Sequence, residues 1–322
     1  MRQFAKPTIV VSKCLEFDAC RYNGEMIPDV TIRNLQPFVT FIPVCPEVEI
    51  GLGTPRETIR IVEENGENRL VQPSTREDVT EKMEQFSNDF LQTIPDVDGF
   101  ILKNRSPSCG TRDVKIYSGF EKAPAKGKGA GLFGGAVVKN FSHLPIEEEG
   151  RLSNFIIREH FFTRLFTIAY YKMIKYNKNM KELVSFQSDN KYLFMAYNQV
   201  KQKELGRIIA NQKNEKIEVV FENYEKTLYE LFMRAPRYTS NVNVCEHIFG
   251  YFKTKLKKQE KDHFIELLQK YAEKKIPLSS LLTILKSWAI RFDEKYLLRQ
   301  TYFEPYPEAL VEISDSGKGR DY

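Results

Sequence analysis

Two joined parts are predicted for this chain: an α/β part over residues 1–150, built on a short, mostly parallel sheet, and an all-α helical bundle over residues 151–322. Three observations predict this. Short β-branched or apolar runs recur in the first part, each bounded by Pro, Gly or polar residues, as buried parallel strands require. From about Arg151, Gly and Pro thin out, and Phe, Tyr, Leu, Ile and Lys recur every three or four residues, the period of an amphipathic helix. The charge balance also changes sign there. Residues 1–150 hold 18 Lys and Arg against 22 Asp and Glu, net −4, whereas the remainder holds 30 against 21, net +9.

The strands are read in order. Thr8–Ser12 (TIVVS) is the first, ending just before Cys14. Phe38–Val44 (FVTFIPV) ends at Cys45, and Asp98–Lys103 (DGFILK) ends a few residues before Cys109. Residues 59–62 and 68–72 flank Glu64-Asn65-Gly66, a hairpin signal. Ser74–Thr93 reads as a helix: Ser74 with Glu77 fits a capping box, and Val79, Met83, Phe86, Phe90 and Leu91 follow at helical intervals. Residues 121–135 (EKAPAKGKGAGLFGG) read as a Gly/Ala/Lys-rich loop, either turning tightly or cradling an anion on its backbone N–H groups. In the second part, segments near 151–177, 180–206, 214–236, 239–273 and 277–297 read as helices. Phe161, Phe162, Phe166, Tyr170 and Tyr171 are expected in their core. The Pro-containing tail from Glu304 wraps or frays.

Hydrophobic residues make up 42% and charged residues 28% of the 322, ordinary for a soluble globular protein. No apolar run approaches the ~20 residues that cross a bilayer, which excludes a helical membrane protein. The N-terminus lacks an apolar h-region and a small-residue cleavage site, so a cytoplasmic protein is expected. Disulfides are disfavoured in that compartment, and clustered cysteines there point to metal or catalysis. Four of the five cysteines, Cys14, Cys20, Cys45 and Cys109, lie in the first part. The basic second part is either a solvated Lys/Glu surface or a surface for a polyanion such as RNA.

Cys14, Cys45 and Cys109 each stand just past a predicted strand, and open parallel sheets bind ligands beyond the carboxyl ends of their strands. Soft thiolates select zinc, copper(I) or iron–sulfur clusters. Zinc usually takes cysteines in close pairs such as CxxC, and no such pair occurs here. Widely spaced single cysteines suit a cluster, whose iron corners are spread over several ångströms. Three thiolates on a four-iron cube leave one iron open as a thiophilic Lewis acid. The competing reading is that these are buried apolar side chains. His143, His160, His247 and His263 are scattered and offer no metal spacing.

The stretches VSKCL…CRYNGE, PVCPEVEIGLGTPRE, GFILKNRSPSCG and LPIEEEGRL resemble, in order, the signature of the 2-thiouracil desulfidase family. The part from Arg151 resembles the YbgA-like helical domain often fused behind that module. The resemblance implies a 4Fe–4S cluster on Cys14, Cys45 and Cys109. It also implies a non-redox reaction in which a thiolated nucleobase loses its sulfur to the open fourth iron as hydrosulfide. On that chemistry, Glu47 is the candidate base for the attacking water, against a reading as a helix N-terminal carboxylate. Ser106 holds substrate or relays a proton, against a turn residue. Lys103 and Arg105 steady the charge of cluster and hydrosulfide, against plain surface charges. Arg56 is a further contact. Where the YbgA-like pattern has Phe-His…Lys…Ala-His, this chain reads Phe186-Gln187…Lys191…Ala196-Tyr197, so both histidines are replaced.

Two rival functions remain open on the sequence. One is a sulfur-transfer or editing factor for thiolated tRNA, gripping RNA phosphates through the basic helical part with a steep salt dependence. The other is a non-catalytic redox cluster protein, with Cys20 as the fourth ligand. Under the desulfidase reading Cys20 is instead a nearby packed or redox-active thiol. The sequence carries no oligomerisation signal.

Overall fold

In the computed structural model, residues 2–120, 123–211 and 214–312 are described. The strands are β1 (Thr8–Ser12), β2 (Thr40–Val44), β3 (Arg60–Glu64), β4 (Glu67–Gln72), β5 (Glu77–Asp78), β6 (Gly99–Leu102), β7 (Val114–Tyr117), β8 (Ala125–Gly129) and β9 (Ile146–Glu148). They form a four-stranded sheet in the order β2-β1-β6-β9 and a five-stranded sheet in the order β5-β4-β3-β7-β8. The first sheet is parallel throughout: Val10 lies opposite Ile42 and Phe100, and Phe100 opposite Ile146. That register brings Ser12, Val44 and Leu102 to one edge, so the turns after β1, β2 and β6 open on the same side. Ile9, Val10 and Val11 of β1 and Phe100, Ile101 and Leu102 of β6 are all fully buried, whichever face they point to. A strand covered on both faces needs the continuous apolar run that marked it in the sequence.

The expected hairpin is present as β3 and β4, with Asn65 and Gly66 at positive φ in the turn. The expected capping box is not. The helix begins at Thr80, not Ser74, because β5 pairs with β4 through Asp78 and Glu77, and the Asp78 carboxylate accepts the Thr80 N–H at 2.9 Å. The Gly-rich segment is also not a loop. Ala125–Gly129 is β8, an edge strand on β7, and a helix follows from Leu132; Glu121 and Lys122 lie outside the described residues.

The helices of the first part are α1 (Val30–Leu35), α2 (Pro46–Glu49), α3 (Thr80–Thr93), α4 (Leu132–Phe141) and α5 (Glu149–Leu152), then the long α6 (Phe155–Asn177). Beyond it come α7 (Met180–Asp189), α8 (Lys191–Tyr197), α9 (Gln199–Ala210), α10 (Ile217–Leu231), α11 (Tyr238–Phe249), α12 (Lys258–Ala272), α13 (Leu278–Arg291) and α14 (Lys295–Leu298). The segment read as one helix over 180–206 is three. Asn190 ends α7, and the Asn198 side chain accepts the N–H groups of Val200 and Lys201 to start α9. An asparagine that offers the backbone such a local acceptor favours a cap over a helix interior. The 239–273 segment likewise divides into α11 and α12.

The chain separates into two compact units, one of Met1–Ala169 with the return segment from Ala309, the other of Tyr170–Glu308. The second has its own core, in which Tyr171, Phe186, Tyr224 and Cys245 are buried. Phe161, Phe162 and Phe166 are buried in the first. Tyr170 is not a core residue as expected: it is 40% exposed and touches Phe186 edge-on. The tail wraps as far as Glu312, whose carbonyl accepts from Arg158 Nη2 at 2.7 Å. No helix among the described residues is long and apolar enough to cross a membrane.

Burial on α6 makes the first unit pH-sensitive. It pushes the Glu159 carboxyl up to about 7, with Arg158 pulling the other way. The folded value lies above the unfolded one of about 4.3, so the stability Glu159 contributes is present below that value and is lost as pH rises through 7. His160, pushed down to about 3 by burial and by Arg164, acts in the opposite sense on acidification below pH ~6.5. Glu159→Gln should therefore raise the melting temperature relative to the parent at pH 8 and leave little difference at pH 4.5. Melts across that range check it; an unchanged difference at both pH values would refute it.

Candidate active site

The three strand ends deliver their cysteines to one edge. Cys14 follows β1, Cys45 follows β2 and caps α2, and Cys109 stands in the loop after β6. All three are buried and free of disulfides. They lie close enough for each to feel the others' charge. The Cys14 thiol is pushed up to about 12 by burial and by Cys45, with Lys103 opposing. The Cys109 thiol is pushed well up by burial and by Cys14 and Cys45, against a hydrogen bond from Ser12. Raised in this way, the thiols of Cys14 and Cys109 stay protonated in the empty site; as ligands they would need a cationic body among them, which is what an iron–sulfur core would supply. Among the described residues no three His, Cys, Asp or Glu side chains converge to hold one metal ion. Three soft thiols on three separate strand ends are a donor set that the separate iron corners of a cluster would fit.

The Cys109 loop is held by α4. The N–H groups of Gly131, Leu132 and Gly134 donate to the carbonyls of Gly110, Pro107 and Ser108 at 2.7, 3.2 and 2.9 Å. These amides of the helix start have no partner within the helix. Since they are spent on the loop's own carbonyls, the anion-cradle reading of this Gly-rich segment falls. Close approach is the reason for glycine here: a Cβ on Gly134 would lie 2.3 Å from the Gly110 oxygen and 2.4 Å from that of Cys109. Gly134→Ala should push the loop away, cost about 1–3 kcal/mol of stability and reduce iron uptake with it. Thermal melts and iron analysis read both; a stable, normally loaded variant would refute the fit.

A polar chain runs beside the thiols. Glu47, on the first turn of α2, receives two hydrogen bonds on Oε2 from Arg56, from Nε at 2.9 Å and Nη2 at 2.7 Å. Its Oε1 accepts the Ser108 hydroxyl at 2.6 Å. Ser108 Oγ lies 2.9 Å from Ser106 Oγ and 3.9 Å from Cys109 Sγ. Ser106 Oγ also accepts the backbone N–H groups of Cys109 at 3.1 Å and Ser108 at 3.3 Å. Ser108 has one proton, and it goes to Glu47. The two hydroxyls are therefore ordered, Ser106 donating to Ser108 and Ser108 to Glu47.

Arg56 is almost wholly buried. Its Nη1 donates to the carbonyls of Cys20 at 3.0 Å and Gly53 at 2.8 Å. It ties Glu47 to the Cys20 loop. Lys103 pairs through Nζ with Glu149 and with the Asn104 side-chain oxygen, and its backbone N–H donates to Ser12 Oγ at 2.8 Å. Glu149 also accepts the Asn104 N–H at 2.7 Å. Arg105 is exposed at φ +56°, without a side-chain partner among the described residues. The structure thus gathers Cys14, Cys45, Cys109, Glu47, Ser106, Arg56 and Lys103, and leaves Arg105 at the surface of the same loop. Sequence reasoning missed Ser108 and Glu149. Both lie in stretches already singled out, SPSCG and LPIEEEGRL, and the signal was a second hydroxyl and a run of three carboxylates beside a lone lysine.

An α/β unit that gathers buried cysteines at the carboxyl edge of a parallel sheet is the class of protein that this part of the chain defines. The chain belongs to the 2-thiouracil desulfurase family, which matches residues 9–149, and carries behind it a DUF1722 region, a family of unknown function, over residues 191–307. YbbK of Bacillus subtilis, an uncharacterised protein, is 36% identical over 118 residues, covering 34% of this chain and 77% of YbbK. YbgA of Escherichia coli, also uncharacterised, is 24% identical over 136 residues, covering 42% of this chain and 80% of YbgA. Among solved structures, the [4Fe-4S]-dependent thiouracil desulfidase TudS is similar, with 26% identity, a TM-score of 0.36 and coverage of 46% of this chain and 93% of TudS.

Proposed function

We propose that this chain desulfurates a thiolated nucleobase such as 2-thiouracil by a hydrolytic, non-redox reaction. The thiocarbonyl and water become a carbonyl and hydrogen sulfide, and no electron is gained or lost. The observation that carries this is the convergence of Cys14, Cys45 and Cys109 beside the ordered chain Ser106–Ser108–Glu47. A 4Fe–4S cluster on those thiolates would supply, at its fourth iron, a thiophilic Lewis acid that draws density from the thiocarbonyl and takes the departing sulfur.

The remaining work belongs to the chain's own groups. Glu47 acts as general base, its carboxylate oriented by Arg56 on one oxygen and by Ser108 on the other. A water hydrogen-bonded to the remaining lone pair of Ser108 passes its proton through that hydroxyl to Glu47, with Ser106 orienting Ser108 from the other side. The backbone amides on Ser106 fix that hydroxyl's direction. Glu149 and Asn104 occupy two of the three N–H donors of Lys103 and leave the third for the substrate or the leaving hydrosulfide. Arg56, already spent on Glu47 and two carbonyls, orients the base and does not bind substrate. Burial of the thiols limits water to the molecule that reacts.

Anaerobic iron and sulfide analysis of the reconstituted chain, with 2-thiouracil turnover on the same sample, tests the reading. Four irons and four sulfides with turnover and uracil as product are expected. Four irons without turnover would move the substrate to thiolated RNA. No iron, or one zinc, would refute the cluster.

A further inference from the structure

One buried thiol at this site has no part in the reaction. Cys20 lies in the turn that closes against the site, is only 4% exposed, and has its carbonyl held by Arg56 Nη1 at 3.0 Å. The same carbonyl accepts the Cys45 thiol, with Sγ 3.7 Å from the oxygen. Cys45 is also the foremost charged neighbour of the Cys20 thiol, ahead of Cys14. Cys20 is thus paired with one particular member of the three-cysteine set, and that member is held in place by α2 and β2.

We propose that Cys20 is a resolving thiol for Cys45: when the chain is without its cluster, the two are converted by peroxide into a Cys20–Cys45 disulfide that stores the empty site reversibly. This rests on the reading of Cys45 as a cluster ligand. The chemistry balances in two steps. The Cys45 thiol and hydrogen peroxide give a sulfenic acid and water. The Cys20 thiol then displaces hydroxide from that sulfur, forming the S–S bond and a second water, so two thiols are oxidised by two electrons and the peroxide is reduced. A dithiol reductant reverses it, returning both thiols and leaving its own disulfide.

The placement gives the reaction its consequence. With iron bound, Cys45 is committed and Cys20 has no partner, so the loaded protein is spared. Without iron, a lone Cys45 sulfenic acid meeting more peroxide passes to sulfinic acid, which dithiols do not reduce. A neighbour that captures it first keeps the ligand recoverable. The disulfide removes one of three ligands, so uptake of iron becomes conditional on a reducing environment. Arg56 contributes by holding the Cys20 turn against Cys45 through its backbone, a contact that side-chain substitution at Cys20 leaves intact.

The test uses the full chain, stripped of iron under argon, exposed to one to a few equivalents of hydrogen peroxide, then alkylated and digested. Mass spectrometry should find a peptide pair joined through Cys20 and Cys45, with the loss of two hydrogens. Iron uptake on reconstitution should fall in step and return fully with dithiothreitol. Cys20→Ser and Cys20→Ala should load iron normally before oxidation. After it, they should show two added oxygens at Cys45 and an uptake that dithiothreitol does not restore. A link through Cys14 or Cys109 instead would overturn the proposal, as would Cys20 variants that recover like the parent. Variants that never load iron would make Cys20 a ligand and overturn it too. Disulfide mapping reads this proposal without any turnover, so a chain that links Cys20 to Cys45 but does not desulfurate thiouracil would fail the proposed activity and leave the thiol pair standing.

Discussion

Cys14→Ser, Cys45→Ser and Cys109→Ser should each remove iron and thiouracil turnover together, while Cys20→Ser keeps both. The parallel register delivers all three thiols to the sheet's carboxyl edge, just past β1, β2 and β6. A hydroxyl in place of a thiolate is a hard, neutral donor that a soft iron corner does not retain. Lewis-acid assistance contributes several kcal/mol to a barrier, so its loss lowers the rate by about 10³-fold or more. Iron content, the cluster's visible absorption and uracil formation are measured on one anaerobic sample. Retention of iron and rate in any of the three would remove that cysteine from the ligand set, and loss of both in Cys20→Ser would add a fourth.

The second large effect separates chemistry from scaffold within one ion pair. Glu47→Gln keeps an acceptor for Ser108 and loses the base. It should retain iron while kcat falls about 10²–10⁴-fold at temperatures where it stays folded; because it leaves the Arg56 cation without its counter-charge, it also lowers the melting temperature. Arg56→Met acts on the scaffold first. It strips a nearly buried carboxylate of its cation and leaves the Cys20 and Gly53 carbonyls without their donor. Breaking a buried pair from one side costs about 3–5 kcal/mol. At about 2–4 °C per kcal/mol for a unit of this size, the melting temperature should drop by roughly 6–20 °C. Glu47→Gln with normal kcat would move the base elsewhere. Arg56→Met with unchanged stability would mean that the pair is not formed in solution.

Much of this was legible in the sequence because it rests on local rules. The apolar runs TIVVS and DGFILK needed no partner to be read as strands buried on both faces. The hairpin at Asn65-Gly66 announced itself through the turn residues that positive φ requires. What escaped depended on contacts between distant residues. Ser74 and Glu77 satisfied a capping-box pattern, but β5 claimed Glu77 for pairing with β4 and moved the helix start to Thr80. The Gly-rich stretch read as a tightly turning loop, with an anion cradle as the alternative, because spacing cannot say where backbone amides point. Here they point at the carbonyls of a loop more than twenty residues earlier in the chain.

For the site, the cysteines, Glu47 and Ser106 could be chosen by residue type and position beside strand ends, since ligand chemistry and sheet topology are short-range statements. By itself the sequence determined the two-part α/β and helical architecture, the strand-end cysteines and the family signature, because hydrophobic period and turn chemistry are encoded within a few residues. Only the tertiary structure decided that Arg56 holds Glu47 and does not face outward, that Ser108 joins Ser106 to the base, that Glu149 restrains Lys103, and that Cys20 pairs with Cys45. Each of those contacts joins residues 9 to 61 positions apart across different turns. A hydrogen bond at such separation is set by how sheets and helices pack, and no local pattern carries it.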